Sequence, residues 1–258
     1  PVGRAEVEID ATGHYVLPGG VDPHCHVGFT SGAYTSLDDY RQATTAALFG
    51  GTTTIVDFAI PKSGQQPIEA AHEQREKASQ GLCDSALHAC VVGWNGTTAE
   101  QLRQLADEGI ITVKMFTTYR GETMADSDTI AAVMSELAPL GGMVYVHCEA
   151  NHLIEKTQRD RAERNELGSA HHHKTRPQLA ETASVAEILA IAESLGVPVY
   201  FVHQSVPEAV DLVQAARQRG VRAYSETVTH HLTLTDDCYE ADSPELFVCC
   251  PPLRPAPV

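Results

Sequence analysis

The chain has 258 residues, of which 43% are hydrophobic and 20% are charged, a balance that is typical of one large globular domain and excludes a disordered chain. Its 18 basic and 34 acidic residues give a formal net charge of −16, which disfavours nucleic acid and anionic membrane surfaces as partners. The sequence has no apolar run of about 20 residues, no leader and no disulfide-like spacing of its seven cysteines, so we expect a soluble, cytoplasmic protein without a membrane partner.

Residues 1–13 precede the first strong motif. Residues 5–9 have the composition of a short strand, and turn-forming residues follow at 10–13. We therefore predict that residues 1–13 are the remnant of a small β-sandwich domain. Residues 14–258 are predicted to form the main domain.

The motif at 22–26 is Asp-Pro-His-Cys-His, and it follows a short apolar run and a turn. Side chains alternate faces along a strand, so His24 and His26 are expected to point to one side and Cys25 to the other. Two imidazoles on one face can hold a zinc-like cation. Such a pair alone is a weak signal, because strand histidines are commonly surface or hydrogen-bonded residues.

From residue 36 onward the chain repeats an amphipathic helical stretch, a glycine and a short β-branched run that ends at a polar residue. Helices are predicted over 36–49, from Pro177 to Gly196, and from a capping box at 205–208 to Gly220. Seven strands are predicted, ending near His24, Asp57, Val92, Phe116, His147, His203 and Glu226.

Seven alternating units predict an α/β protein with a parallel sheet, most naturally a (β/α)8 TIM-like barrel. Residues 227–258 carry turn and loop signals and end in a proline-rich stretch, with no further pair of strand and helix. We therefore expect the barrel to be truncated before strand 8 and incomplete at the C-terminus.

Five possible metal ligands fall at or near the carboxyl ends of four predicted strands. In barrels these ends form one functional face, so the five side chains are expected to converge there. Each histidine alone is more simply explained as a hydrogen-bonded strand-end residue, but their joint recurrence favours a metal centre. The five are His24, His26, Lys114, His147 and His203.

Lys114 interrupts an apolar run in which Val113 and Met115 take the opposite face, so its amine should point into the barrel. Burial of an ammonium group lowers its pKa and leaves some neutral amine, which can react with carbon dioxide. The resulting carbamate has two oxygens that can bridge two cations. The alternative is an ion pair between Lys114 and Asp57 or Glu226.

Seven motifs together resemble one protein family. They lie at 17–26, 50–58, 113–119, 146–151, 176–177 with Glu181, 203–205 and 250–254. Their order is that found in dihydropyrimidinases and D-hydantoinases, which are cyclic amidohydrolases. The resemblance covers nearly all of residues 8–255.

The resemblance implies a binuclear metal centre. His24 and His26 would bind one divalent ion, and His147 with His203 would bind the second. Lys114, carboxylated by carbon dioxide, would bridge the ions, with a hydroxide held between them. Zinc is the expected metal, and manganese and iron suit the same ligands. Such a pair of cations lowers the pKa of bound water and polarises the amide carbonyl that is attacked.

The resemblance also implies roles around this centre. Tyr119 matches the oxyanion-stabilising phenol of the family, and backbone groups at Cys250 match the segment that binds the cyclic substrate, where the family usually has serine or threonine. Asp22 and Asp57 are expected to support the ligands from outside. The aspartate that ends strand 8 in the family has no matching position, so residues 1–258 alone are expected to lack the general acid/base.

The implied reaction opens a cyclic amide of the hydantoin or dihydropyrimidine type to an N-carbamoyl amino acid, in a tetramer or dimer. Allantoinase and dihydroorotase are alternatives, but dihydroorotases carry an arginine two residues beyond the His-x-His pair, where this chain has Gly28. A second alternative is a non-catalytic assembly protein of the collapsin response mediator type. All five visible ligand positions are filled here, which disfavours that alternative.

Overall fold

The computed structural model describes residues 6–31 and 34–256. The strands are β1 (Gly20–Cys25), β2 (Thr30–Ser31), β3 (Tyr34–Thr35), β4 (Thr52–Ala59), β5 (Asp84–Cys90), β6 (Thr112–Phe116), β7 (Met143–His147), β8 (Val199–Phe201) and β9 (Ala223–Ser225). The helices are α1 (Tyr40–Phe49), α2 (Pro67–Ala78), α3 (Thr98–Asp107), α4 (Ser127–Leu137), α5 (Asn151–Ala162), α6 (His172–Thr175), α7 (Gln178–Leu195), α8 (Pro207–Gln218) and α9 (Thr229–Thr233). Short 3-10 helices lie at Ala138–Leu140, Ser169–His171, Asp236–Glu240 and Pro244–Phe247.

Seven strands form one sheet in the order β1-β4-β5-β6-β7-β8-β9, and helices lie between successive members along the chain. Parallel strands in chain order with a helix after each are the topology of a (β/α)8 barrel. The predicted fold class is therefore confirmed, with seven of the barrel's strands present. Between residues 226 and 256, all of them described, the chain forms α9 and two 3-10 helices but no strand.

The chain divides into two compact units, and the first takes in the described residues up to Asp57 together with Lys77–Ala86. In this unit β1 pairs in parallel with β4, and Cys25 lies opposite Asp57. The β2–β3 hairpin, which was not predicted, follows β1. A small apolar cluster packs beside these strands and comprises Val27, Tyr40, Ile55 and Ala78.

Helix α1 begins four residues later than the predicted start at Ser36. Its N-cap is Asp39, whose side chain accepts a hydrogen bond from the Gln42 backbone N–H at 2.8 Å. The Gln42 side chain accepts in return from the Asp39 N–H at 3.1 Å, which completes a capping box. Ser36 cannot serve this purpose, because its hydroxyl accepts a hydrogen bond from the Phe29 N–H at 2.9 Å.

The strand predicted at residues 5–9 is not found at residues 6–9, which are described and lie outside any strand. Val7 and Ile9 are 75% and 85% exposed. A strand is stable only where its backbone pairs and one face is covered, and Val7 and Ile9 have no such cover among the described residues. The assignment of 1–13 to a separate β domain stays a prediction, and the first five residues lie outside the described part.

The second unit comprises Phe58–Glu76 and the chain from Leu87 onward. Its apolar core joins residues of β5, β6, β7 and β8 to residues of α3, α4, α7 and α8. Helix α7 has Pro177 as its N-cap and ends at Gly196, whose left-handed φ of 66° is the usual helix stop. These are the predicted ends of the helix. No helix within the described ranges has the length and apolar character needed to cross a bilayer.

The register of β6 separates its apolar and polar faces. Val113 and Met115 are fully buried in the apolar core, as the alternation predicted. Lys114 takes the other face of the strand and lies opposite Tyr145 of β7. Phe116, the last residue of β6, lies opposite His147, so the ends of the two strands are level.

The capping box predicted at residues 205–208 is wrong, although the helix that follows is present. The N-cap of α8 is Val206, and no side chain caps it. Ser205 is already used, because its hydroxyl and its N–H both donate to the buried carboxylate of Glu181. The hydroxyl therefore fixes the start of α8 against α7 instead of capping α8.

The apolar core yields a stability prediction. Leu105 of α3 is fully buried in the main core of the second unit, whereas Leu179 of α7 is exposed. We expect Leu105→Ala to lower the free energy of unfolding by about 2–5 kcal/mol, because it removes buried methyl groups and leaves a cavity. Urea unfolding measures the change, provided that the dependence of the unfolding free energy on urea concentration is the same in both proteins. Leu179→Ala is the matched control. A loss below about 1 kcal/mol for Leu105→Ala would contradict this packing.

Candidate active site

Three of the predicted ligands lie at neighbouring strands of the second unit. Lys114 is on β6, His147 is the last residue of β7, and His203 comes two residues after β8. Their exposures are 1%, 2% and 9%. The imidazole rings of His147 and His203 lie 4.5 Å apart between centroids and are inclined at 75°. The structure therefore brings His147 and His203 together at the carboxyl ends of neighbouring strands, and Lys114 is near enough to act on His147 electrostatically.

Lys114 lies in an apolar pocket. Its Nζ is 5.0 Å from the ring centroid of Phe58 and 5.0 Å from that of Phe116. Burial lowers the pKa of Lys114 to about 7, although Cys90 and Glu226 nearby favour the charged form. A substantial fraction of the amine is therefore neutral near pH 7. Of the two ion-pair partners weighed from the sequence, Glu226 acts on the amine electrostatically.

His147 is held by a carboxylate two residues further along the chain. Its Nε2 lies 2.7 Å from Oε2 of the fully buried Glu149. Burial lowers the pKa of His147 to about 4, so the ring is neutral. Burial would raise the pKa of Glu149, but the hydrogen bond from His147 and the charge of Arg176 hold it at about 2. Because the carboxylate can only accept, the proton lies on Nε2, and Nδ1 has the free lone pair that a metal requires.

Arg176 forms a buried ion pair with Glu149. Its Nε lies 2.9 Å from Oε1 of Glu149, and its Nη2 donates to Oε2 of the same carboxylate. Burial opposes the charge on Arg176, but Glu149 raises the arginine pKa above its ordinary value. The guanidinium carbon also lies 5.2 Å from the ring centroid of Tyr119. One arginine thus contacts both the partner of His147 and the predicted oxyanion donor.

Thr117 fixes the backbone at His147 and Glu149. Its hydroxyl lies 3.1 Å from the carbonyl oxygens of His147 and Glu149, and it accepts from the Glu149 N–H at 2.9 Å. The same hydroxyl bonds to Ser184 of α7 at 2.8 Å. The loop after β6 and the loop after β7 are therefore tied to each other and to α7.

The backbone at His203 is held by Glu226, the residue that follows β9. Its φ of 40° lies in the left-handed region, which is uncommon for a residue with a side chain. Gln204 donates its N–H to the Glu226 carbonyl at 2.7 Å, and the Glu226 carboxylate accepts from Tyr200 at 3.2 Å. The residue that follows β9 therefore stabilises the turn that presents His203.

Tyr119 also has a left-handed backbone, with a φ of 69°. Its carbonyl accepts hydrogen bonds from Glu122 and Met124 at 3.0 and 3.2 Å, which hold this turn. The phenol ring lies 5.3 Å from the ring of His147. Burial, together with Cys250, raises the pKa of Tyr119 well above its ordinary value, so the hydroxyl stays protonated as a donor.

Cys250 lies close enough to Tyr119 for each group to affect the pKa of the other. Burial raises the pKa of Cys250, so it is a neutral thiol. His172 supports the same segment, because its Nε2 donates to the Cys249 carbonyl at 2.7 Å and lies 3.7 Å from the Cys250 sulfur. The two residues predicted to contact substrate are therefore brought together.

The first unit contains the other predicted ligand pair. The rings of His24 and His26 lie 5.4 Å apart between centroids and are inclined at 78°. Asp22 accepts a hydrogen bond from the His24 backbone N–H at 3.0 Å, so its carboxylate fixes the backbone at His24. This pairing agrees with the predicted common face of the two histidines. Their role as metal ligands stays a prediction.

Asp57 is buried in β4, two residues before the strand ends, and belongs to the first unit. Its Oδ2 accepts from the Tyr40 hydroxyl at 2.6 Å and from the Val27 N–H at 3.3 Å. The carboxylate therefore ties α1 to the residue that follows His26. These contacts are structural, and the expected support of the metal ligands by Asp57 stays a prediction.

The donor set of the second unit fits a divalent cation. Within the described ranges no three His, Cys, Asp or Glu side chains group as a metal site. His147 and His203 supply one close pair of nitrogen donors, and Lys114 would need to be carboxylated to add oxygen donors. Neutral imidazoles and carbamate oxygens are ligands that zinc, manganese and iron accept.

Comparisons with known proteins identify the family of this chain. The model of the Amidohydrolase family matches residues 15–243. The chain belongs to the amidohydrolase family. The D-hydantoinase of Ralstonia pickettii is 36% identical over 256 residues, which are 98% of this chain and 56% of that protein. The dihydropyrimidinase of Rattus norvegicus is 34% identical over 254 residues, covering 96% of this chain and 49% of the relative.

Solved structures agree with this assignment. A D-hydantoinase (dihydropyrimidinase) from Thermus sp. superposes with a TM-score of 0.94 at 31% identity, covering 98% of this chain and 56% of the other. An L-hydantoinase (dihydropyrimidinase) from Arthrobacter aurescens gives a TM-score of 0.84 at 25% identity over 99% of this chain and 56% of the other. The resemblance to dihydropyrimidinases and D-hydantoinases is therefore confirmed. This amidohydrolase chain spans about half the length of the curated relatives it matches.

Two residues beside His147 in this amidohydrolase have no role predicted from the sequence. They are Glu149 and Arg176, which belong to motifs of the family resemblance. A charged residue two positions beyond a ligand at a strand end was the available signal for Glu149, because both side chains then share a face. Nothing local indicated that Arg176, 27 positions further along, would be its partner.

Proposed function

We propose that this amidohydrolase is a metal-dependent hydrolase that opens a cyclic amide of the hydantoin or dihydropyrimidine type to an N-carbamoyl amino acid. The observation that supports it most is the convergence of Lys114, His147 and His203 beside Tyr119. The relatives named D-hydantoinase and dihydropyrimidinase support the same class of substrate. Since the chain spans about half of those relatives, the activity is proposed for the whole protein.

The proposed centre holds two divalent cations, with zinc as the expected metal. His147 and His203 would hold one cation, His24 and His26 the other, and Lys114 would add oxygen ligands once carboxylated. When bound, such cations lower the pKa of water and polarise the amide carbonyl. The neutral form of Lys114 makes the carbamate possible, since its nitrogen lone pair forms a bond to the carbon of carbon dioxide and one proton leaves the nitrogen.

The protein's own groups bind and orient the substrate. The Tyr119 hydroxyl is a protonated donor, suited to stabilise the negative charge that develops on the amide oxygen. Arg176 lies against the Tyr119 ring and restricts its position. Backbone groups next to Cys250 are proposed to bind the ring of the cyclic amide, a contact that does not depend on the hydroxyl that the family usually has at this position.

A substrate panel tests the proposal. The purified whole protein is assayed with hydantoin, dihydrouracil, dihydroorotate and allantoin, before and after treatment with a chelator. We expect turnover of hydantoin or dihydrouracil to the N-carbamoyl product, lost on chelation and restored by zinc. Turnover of dihydroorotate or allantoin alone would contradict the proposed substrate class, and turnover that survives metal removal would contradict the metal dependence. A protein without turnover that never retains metal would be the non-catalytic assembly protein.

One position separates the proposed activity from dihydroorotase. Gly28 has a left-handed φ of 60° and donates its N–H to the Asp38 carbonyl at 3.2 Å. An arginine there would strain this backbone, so the position is suited to glycine.

The proposal also includes a homo-oligomer, either a tetramer or a dimer, in the cytoplasm. Light scattering would measure the oligomeric state.

A further inference from the structure

We infer that Arg176 is a positioning residue that holds the metal ligand His147 and the substrate contact Tyr119 in one arrangement. The inference deepens the proposed function and rests on it. It concerns only residues of the second unit, and three separate sets of contacts support it.

The first set joins Arg176 to Glu149. The guanidinium contacts both oxygens of the carboxylate, and the exposures of the two side chains are 6% and 0%. A planar fork that binds both oxygens fixes the rotation of the carboxylate, which a single ammonium cannot do. Because the pair is excluded from water, each charge depends on the other.

The second set joins Glu149 to His147. With its carboxylate plane fixed by Arg176, Oε2 of Glu149 is directed at Nε2 of His147, 2.7 Å away. This hydrogen bond sets which imidazole nitrogen keeps its proton and how the ring is rotated. Arg176 therefore acts on the predicted ligand through one intermediate side chain.

The third set joins Arg176 to the substrate side. Its guanidinium carbon lies 5.2 Å from the Tyr119 ring centroid, close enough for a cation–π contact. Separately, its backbone carbonyl, which side-chain variants keep, accepts a hydrogen bond from Nη1 of Arg254 at 2.7 Å, four residues after Cys250. Nε of Arg254 also donates to Ser205 at 3.0 Å, so this segment is held at two points.

These contacts make one residue responsible for two parts of the site. Loss of the guanidinium would leave Glu149 buried without its counter-charge and would free the Tyr119 ring. We therefore expect metal affinity and substrate affinity to change together when Arg176 is altered. If Arg176 were needed only for folding, its replacement would leave the metal affinity and the substrate affinity of the correctly folded molecules unchanged.

The test compares Arg176→Lys and Arg176→Met with Arg219→Lys. Arg219 is the matched control, because it forms a two-point pair with Glu193 at 3.0 and 2.7 Å on the surface. For each folded variant three quantities are measured: the cobalt(II) dissociation constant, the protonated nitrogen of His147 by nitrogen-15 NMR of the metal-free protein, and kcat and KM. Added guanidinium ion is tested for rescue of Arg176→Met.

We expect both Arg176 variants to raise the cobalt(II) dissociation constant by about 10–100-fold, to give mixed protonation of His147 and to raise KM. Guanidinium should partly restore Arg176→Met, and Arg219→Lys should match the parent. If Arg176→Met does not fold, the inference is judged on Arg176→Lys, because this variant keeps the positive charge and loses only the two-point contact of the planar guanidinium with Glu149. A folded Arg176→Lys with unchanged cobalt affinity and His147 protonation would overturn the inference. If no cyclic amide is turned over at all, the proposed function fails, while the cobalt and NMR measurements still judge Arg176.

Discussion

Replacing Lys114 by alanine is expected to lower both the metal content and the hydrolytic rate, the latter by at least about 100-fold. Removing a residue that only hydrogen-bonds to a metal ligand typically lowers metal affinity or activity by about 10–100-fold. The loss of rate expected for Lys114→Ala is larger, because the carbamate oxygens would bind the cations directly. The buried amine, with its pKa lowered to about 7 by desolvation, is the group that makes a carbamate accessible at neutral pH. Elemental analysis and a rate assay on the same sample measure the two effects.

Two comparisons make the Lys114 result specific. Lys156→Ala serves as the control, because Lys156 is an exposed lysine paired with Asp160 on the surface of α5. Acetate or propionate added to Lys114→Ala should restore part of the metal content and part of the rate, since a short carboxylate can replace the carbamate. Unchanged metal occupancy in folded Lys114→Ala would remove the bridging role.

Replacing Tyr119 by phenylalanine is expected to lower kcat by about 100–1,000-fold and to change KM little. Loss of one donor to a developing oxyanion has this magnitude, and the effect falls on the transition state rather than on binding. Phenylalanine keeps the ring against His147 and Arg176, so the fold and the metal affinity should be retained. Steady-state kinetics on the preferred cyclic amide separates kcat from KM.

Tyr224→Phe is the matched control for the Tyr119 experiment, because Tyr224 of β9 is a partly exposed tyrosine that packs against Arg217. Its kinetics should equal those of the parent. If Tyr119→Phe kept its kcat within about threefold while retaining metal, the phenol would not be the oxyanion donor. A rise in KM alone would instead indicate a role in substrate binding.

The fold was largely predictable because its signals are local and repeated. Glycine at the end of a helix followed by a β-branched run marked β4 to β9, and α7 ends at Gly196 as expected. Two errors at helix starts occurred where one side chain had a competing partner. Ser36 bonds to Phe29, the residue before β2, and Ser205 bonds to Glu181, so neither begins a helix, and no local pattern encodes such a choice.

The positions of the candidate ligands were predictable from the sequence, whereas the residues that support them were less so. Lys114 and His147 follow from position at strand ends, since a barrel brings those ends together. Tyr119 and Cys250 were matched through the family resemblance, and the structure places them side by side. Arg176 was not assigned, because its importance comes from a buried contact with Glu149 that only the fold creates.

The most direct test of the central claim is anomalous X-ray diffraction from crystals of the zinc-loaded protein, recorded at the zinc absorption edge. We predict a zinc peak about 2.0–2.1 Å from Nδ1 of His147, with His203 and the carboxylated Lys114 among its ligands. An unmodified Lys114, or zinc bound elsewhere with His147 and His203 free of it, would contradict the account.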